Sequence, residues 1–383
     1  MPVKLPIYMD HHASTPIDPA VLKAMMPYLT ENYGNPGAYH IFGQKAALAI
    51  ETAREKTAAL INADPGEIVF TSGGTESDNL AIKGIIETLE RRGKHIITSS
   101  IEHHAVFNVC REMEEHGLKV SYLPVDKFGN INLQHLKEAI RKDTILISLM
   151  TANNEIGTQY PIDDIGDIAH ENNIFFHTDA VQSANYIPID VRKSPVDLLS
   201  LSAHKLYGPK GVGALYINRD LPFKLKAQMD GGGQERNRRS GTHNVPGIVG
   251  MGEACGIALE KMPKTCEVAI LRDEMWELFQ KAISGVEMHG NQYFRLPNNL
   301  NIFIPGVNTT DLVRMCGSKI ALSTGSTCNA FQREPSHVIA ALGFSMNRSF
   351  STLRIGLGRS TTRDEIYFAV DYIAKQVSML RGE

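Results

Sequence analysis

From its N-terminus the chain alternates short apolar, β-branched runs with longer segments of helical period. The opening, IYMDHHASTPIDPAVLKAMMPYL, predicts a short strand, a polar turn and a helix. Asp18 is placed to cap that helix and Pro19 falls at its first position. Gly, Pro and Asn crowd ENYGNPGAYHIFG, which reads as irregular loop, whereas QKAALAIETAREKTAALI has the period and composition of a helix. In EIVFTSGGTESDNLAIKGIIETLERRG a strand over Ile68 to Phe70 passes through the small-residue turn Ser72 to Thr75 into a long helix. Further strands follow at HIITS, KVSYLPV, TILISLM, FFHTD, the run ending at Ser202, and GVGALYI. Helices intervene from near His103, over LQHLKEAIRK and over IGDIAHENN. This alternation predicts an α/β domain with a mostly parallel, seven-stranded sheet.

The rhythm changes in the last third. Gly231 to Gly233 open a polar, basic loop, GGGQERNRRSGTHNVPG, and a long helix begins near Val245. From about residue 263 the order becomes helix (LRDEMWELFQKAI), strand (NNLNIFI), helix (TTDLVRMC), strand (IALS), loop, helix (SHVIAAL), strand (TLRIGL) and a final helix. That pattern predicts a smaller α+β domain, with the N-terminal residues packed against it. The expected division is 16–262 for the large domain and 1–15 plus 263–383 for the small one. A chain of 383 residues also favours two domains over one.

Composition narrows the function classes. With 43% hydrophobic and 21% charged residues and a net charge of −3, nothing suggests a nucleic-acid or membrane-surface partner. No apolar run reaches the ~18 residues of a membrane span. MPVKLPIYMD has neither the basic nor the apolar region of a signal peptide, so a soluble cytoplasmic protein is expected. Cys110, Cys255, Cys266, Cys316 and Cys328 are odd in number and widely spaced, with no CxxC pair. Neither a disulfide framework nor a zinc site is predicted, and most of these thiols are expected to be buried and inert.

Polar residues gather where the predicted strands end, which is where open α/β sheets bind ligands. Lys205, in SAHKLYGPKG, is either a surface lysine opening a loop or an amine poised for imine chemistry. The turn Ser72 to Thr75 is either a plain turn or an anion site at a helix N-terminus. It is not a Walker loop, because no Gly-Lys-Ser/Thr follows. Asp179 in FFHTDAVQS is either a helix cap or an acid facing a ligand. Asn154 and Glu155 either shape a turn or reach a site, and His103 and His104 either face solvent at a helix start or act. Taken together they supply what pyridoxal phosphate requires: an imine lysine, an acid for the pyridinium nitrogen and a phosphate cradle.

The ordered set TSGGTESDN, EHHAV, NNEIG, HTDAVQS, SAHKLYGPKG, GGGQER-x-RRSGT, STGSTC and LRIGLGR resembles the NifS/IscS-type cysteine desulfurases across essentially the whole chain. These are fold-type I pyridoxal-phosphate enzymes of the class V aminotransferase superfamily. The resemblance implies that Lys205 binds the cofactor, Asp179 pairs with its pyridine nitrogen, and Gln182 lies near its ring hydroxyl. His103 would stack on the ring and move protons. Gly74, Thr75, Ser202 and His204 would hold the phosphate, joined by Thr242 from the partner of a homodimer. Asn154 and Arg354 would bind the carboxylate of L-cysteine, with Asn35 nearby, and Arg suits that role through its two-pronged donors. Cys328, in a segment rich in small residues that reads as a mobile loop, would take the sulfur as a persulfide and pass it to an acceptor such as an iron–sulfur scaffold protein. Left to its own residues, Cys328 is either a reactive or a buried structural thiol, and its Gly/Ser/Thr setting disfavours the core. Its loop departs from the commoner SSGSACTS, reading STGSTCNAFQRE. GGGQER, RLPN and GRSTT also resemble selenocysteine lyases. An aminotransferase of the same fold and a non-catalytic sulfur-pathway scaffold are the remaining alternatives.

Overall fold

Seven strands, all but the edge strand Lys119–Leu123 buried on both faces, gather into one sheet. The structure, a computed structural model, describes residues 3–324 and 335–383. In chain order it begins with β1 (Ile7–Tyr8), α1 (Pro19–Thr30), α2 (Ile41–Leu60), β2 (Ile68–Thr71), α3 (Gly74–Thr88), β3 (His95–Ser99) and α4 (His104–Glu115). It continues with β4 (Lys119–Leu123), α5 (Leu133–Ala139), β5 (Thr144–Ser148), α6 (Ile162–Glu171), β6 (Phe175–Asp179), β7 (Leu198–Ser202) and β8 (Gly213–Ile217). The large sheet has the order β2-β8-β7-β6-β5-β3-β4, parallel except for β8, which runs against both of its neighbours. Asp18 caps α1 as expected, accepting from the Ala20 amide at 2.9 Å.

Strand alternation sorts the apolar side chains onto two faces. Ile97 and Leu199 join a core shared with α1, α2 and the later helix α8 (Val245–Lys261), whereas their neighbours Ile96 and Leu198 join a second core under α3 and α4. Residues buried on both faces explain why these strands read as continuous apolar runs. The α2–α8 contact is close because a side chain at Gly252 would lie 2.5 Å from the Ala53 Cα.

After β8 the chain forms a single turn of helix, α7 (Gln234–Asn237), then α8 (Val245–Lys261), α9 (Thr265–Ala282), β9 (Glu287–Met288), β10 (Asn299–Phe303) and α10 (Thr309–Cys316). β11 (Ile320–Ala321), β12 (Ser323–Thr324), α11 (His337–Ala341), α12 (Met346–Phe350), β13 (Thr352–Gly356) and α13 (Arg363–Arg381) complete it. A separate hydrophobic core joins Leu300, Ile302, Leu353 and Ile355 to Phe279 and Ile373, and it takes in Ile7 and Met9 from the N-terminus. The run IALS, expected as one strand, is two. β11 pairs with β1 and β12 with β13, so each half satisfies its backbone on a different sheet. Among the described residues no helix is long and apolar enough to cross a membrane.

The loop expected after Gly231 contains α7, where Glu235, Arg236 and Asn237 all have positive φ (49, 59 and 63°). Left-handed backbone is unfavourable for residues with a Cβ and persists only where its surroundings hold it. The Glu235 carboxylate is the anchor. It accepts two bonds from Arg54 (2.7 and 2.9 Å) and one from the Phe70 amide (3.0 Å), and it contacts His243 at 2.7 Å. Burial alone would raise its pKa, but Arg54 and His243 outweigh burial and hold it down at about 2. Glu235→Ala leaves Arg54 buried without its partner and should lower unfolding free energy by about 3–5 kcal/mol at neutral pH, read from denaturant midpoints. A depressed carboxyl stabilises above its unfolded pKa of 4.5 and loses that contribution as pH falls towards about 2. Wild type and variant should therefore converge in acid.

Candidate active site

The carboxyl ends of β2, β3, β5, β6 and β7 open on one cavity of about 340 Å³. Between β2 and α3 the chain turns at Gly73 (φ 155°), and a side chain at Gly74 would lie 2.7 Å from Val181 Cγ2. The first amides of α3, at Gly74 and Thr75, line the cavity with Ser202 and His204, as an anion cradle requires. The Ser72 amide is already committed, donating to Glu76 at 2.7 Å, and Arg239 grips the same carboxylate at 2.8 Å.

β7 ends in the tight turn Ala203–Lys205, which aims Lys205 into the cavity. Its Nζ donates to the carbonyls of His12 and of Ala13, the latter at 2.9 Å. Asp179, at the end of β6, is buried. Burial pushes its pKa up to about 6, opposed by the Val181 N–H, which it accepts at 2.9 Å, and by Lys205. No helix follows, so this aspartate is not a helix cap. Behind it Asp78 is sealed in, raised well above the usual range by burial and by Asp179, with one oxygen lacking a hydrogen-bond partner.

His103 stands at the start of α4 but faces the cavity and not solvent. Its Nδ1 accepts the Ala105 amide at 3.1 Å and caps α4, while the ring lines the cavity. Burial, then Lys205 and His104, lower its pKa to about 4. Gln182 meets His12 at two points. Asn154 lines the wall, but the turn there belongs to Asn153, whose side chain accepts the amides of Glu155 (2.8 Å) and Ile156 (2.9 Å). Arg354 arrives from β13, outside the large sheet. Its guanidinium donates to Ser323 Oγ (3.1 Å) and the Asn154 carbonyl (3.4 Å) and lies 3.4 Å from Asp10.

Ten predicted site residues thus converge: Gly74, Thr75, His103, Asn154, Asp179, Gln182, Ser202, His204, Lys205 and Arg354. Asn35 and Thr242 do not; both are exposed and neither lines this cavity. Cys328 lies outside the described residues. Of the other cysteines, Cys110, Cys255 and Cys316 are buried, with burial pushing Cys255 up to about 12 and Cys316 to about 11. Cys266 is a correction: it is exposed in the first turn of α9.

Sequence reasoning missed His12, Asp78 and His337, and left open whether Glu155, now part of the wall, shapes a turn or reaches the site. His12 sits 193 positions from Lys205, and its only signal was a paired histidine in a polar turn. Glu155 is fully buried and accepts from Ser336 Oγ at 2.6 Å.

The set fits pyridoxal phosphate. A buried acid with no cation bonded to it suits a pyridinium N–H, an amine stands beside it, and helix amides face the phosphate position. Fold and cavity define a fold-type I α/β enzyme. Residues 7–368 match the model of the aminotransferase class-V family. The chain belongs to that family, in its NifS/IscS-type branch. It is 49% identical to cysteine desulfurase IscS of Neisseria meningitidis, over 100% of this chain and 94% of that relative. A solved NifS-like protein superposes with TM-score 0.92 at 37% identity, covering 98% of this chain and all of that one. A structure described as SspA in complex with cysteine superposes with TM-score 0.81 at 40% identity, covering 92% and 98%.

Burial raises Glu155 to about 7, against Ser336 and Arg354. A raised carboxyl stabilises the fold below its unfolded pKa of 4.5 and loses that contribution as pH climbs through about 7. The cofactor-free protein should lose melting temperature over that range. Glu155→Gln should flatten the loss by several degrees in thermal scans at stepped pH.

Proposed function

We propose that the protein desulfurates L-cysteine to L-alanine, with Lys205 holding pyridoxal phosphate and Cys328 receiving the sulfur. The observation that carries this reading is the convergence of Lys205, Asp179, His103 and Arg354 on one cavity. Pyridoxal phosphate, when bound, supplies an electron sink that weakens bonds at the substrate's α- and β-carbons. Asp179 keeps the ring nitrogen protonated. Gly74, Thr75, Ser202 and His204 hold the phosphate. Arg354, pre-aimed by Ser323 and Asp10, binds the substrate carboxylate with Asn154. His103, with Nδ1 accepting the helix amide, carries its ring proton on Nε2 and offers that N–H as a donor in the cavity. Lys205 Nζ moves the proton at the α-carbon.

The Cys328 thiolate attacks the substrate sulfur. An S–S bond forms, the C–S bond breaks, its electron pair stays on carbon, and a proton there completes alanine. The persulfide then passes to an acceptor protein such as an iron–sulfur scaffold. A homodimer is supported by the large apolar side chains exposed in the segment that carries Asn35, namely Tyr33, Tyr39 (97% exposed) and Phe42. Thr242 and Asn35, exposed and away from their own cavity, would complete the partner's site.

Lys205→Ala should abolish the visible absorbance acquired on adding pyridoxal phosphate. Cys328→Ser should keep that absorbance yet release no sulfide from L-cysteine, and retained sulfide release would overturn the nucleophile assignment. Turnover on selenocysteine but not on cysteine would assign a selenocysteine lyase instead.

A further inference from the structure

We propose that His12 is a positioning residue that orients the Gln182 amide so that its N–H, and not its carbonyl, faces the bound cofactor. Two contacts carry this. Gln182 Nε2 donates to the His12 carbonyl at 3.0 Å, and Gln182 Oε1 stands 3.3 Å from His12 Nδ1. An amide oxygen only accepts, so Nδ1 carries the ring's proton and Nε2 is bare. Among the described residues Nε2 makes no hydrogen bond, although the Asn298 carbonyl also faces the ring, and the whole residue is 1% exposed. The charged groups facing the ring are Arg354 and Lys205, both cations. Burial first, then Arg354, keep its pKa well below the ordinary histidine value, so the ring holds a single proton.

The flipped amide is excluded by the main chain, because it would set Oε1 against the His12 carbonyl, and the Nδ1–H then follows from the oxygen that faces it. In the observed orientation Nε2 keeps a second hydrogen, and Gln182 lines the cavity beside Asp179 and Lys205. Resting on the pyridoxal-phosphate reading, this places a fixed donor at the cofactor's ring oxygen. A donor there favours the more negative form of the lysine-bound cofactor, which then loses its nitrogen proton at lower pH. Without the Nδ1–H the Gln182 carbonyl loses its partner, and only the His12 main-chain carbonyl still orients the amide, so its N–H is held less firmly towards the cofactor.

The test is a pH titration of visible absorbance on protein loaded with pyridoxal phosphate. His12→Leu should raise the titration midpoint by about one unit, the weight of one hydrogen bond to a charged group. His12→Asn, whose side-chain N–H occupies the Nδ1 position, should titrate with wild type. Because His12 acts through Gln182, His12→Leu should add no shift in a Gln182→Leu background. If His12→Leu fails to fold, His12→Gln, whose amide overreaches the Nδ1 position, takes its place with the same upward shift expected. An unmoved midpoint in His12→Leu, an equal shift in His12→Asn, or additive shifts in the double variant would overturn the inference while leaving the cofactor reading intact. A wild type with no titrating band would overturn both.

Discussion

A carboxyl group sealed beneath the cavity floor sets the terms for everything around it. Burial alone drives Asp179 towards its neutral form, and the Val181 amide and Lys205 pull it back. Two more buried acids feel its charge. Asp78 is held well above the ordinary range, and burial, with a smaller push from Asp179 and against the Met150 amide and the Ser99 hydroxyl, keeps Glu102 up at about 8. Burying like charges together is unfavourable unless a cation or protons offset it. The seven-stranded sheet imposes the arrangement, because parallel strands end on one edge and bring their polar termini together. A ligand bearing a cationic ring nitrogen relieves the floor, so binding and stability are linked.

The N-terminal segment is the second structural requirement. Residues 10–15 run between β13 and the end of β7 and touch functional groups from both. The carbonyls of His12 and Ala13 hold Lys205, Thr15 bonds the His204 carbonyl at 2.9 Å, and Asp10 faces Arg354. Gly356 leaves room for this passage, since a side chain there would meet His12 at 2.8 Å. Backbone carbonyls suit this role. They restrain an ammonium without adding a negative charge beside Asp179.

The strand–turn–helix order was readable because apolar runs and small-residue turns are local features. The Asp18 cap and the Gly-rich turn before α3 both follow from neighbours in sequence. The split of IALS did not follow, because β11 and β12 look like one run until their different partner strands are known. Asp179 as a helix cap and Asn154 as a turn former were reasonable local alternatives that space decided. The Asp179 bond closes a turn with Val181, and Asn153 shapes the turn beside Asn154. The left-handed run at Glu235 was also illegible. Its anchor, Arg54, lies 181 positions away.

By itself, then, the sequence determined the α/β order, the candidate lysine, acid and histidine, and the resemblance that joined them. Those are properties of residue type and spacing along the chain. Only the tertiary structure decided that His12 grips Gln182, that Asp78 lies buried behind Asp179, and that Arg354 arrives already bonded to Ser323. It also separated Asn35 and Thr242 from the cavity of their own chain. Each of these depends on burial or on a contact between distant residues, and neither is written in local periodicity.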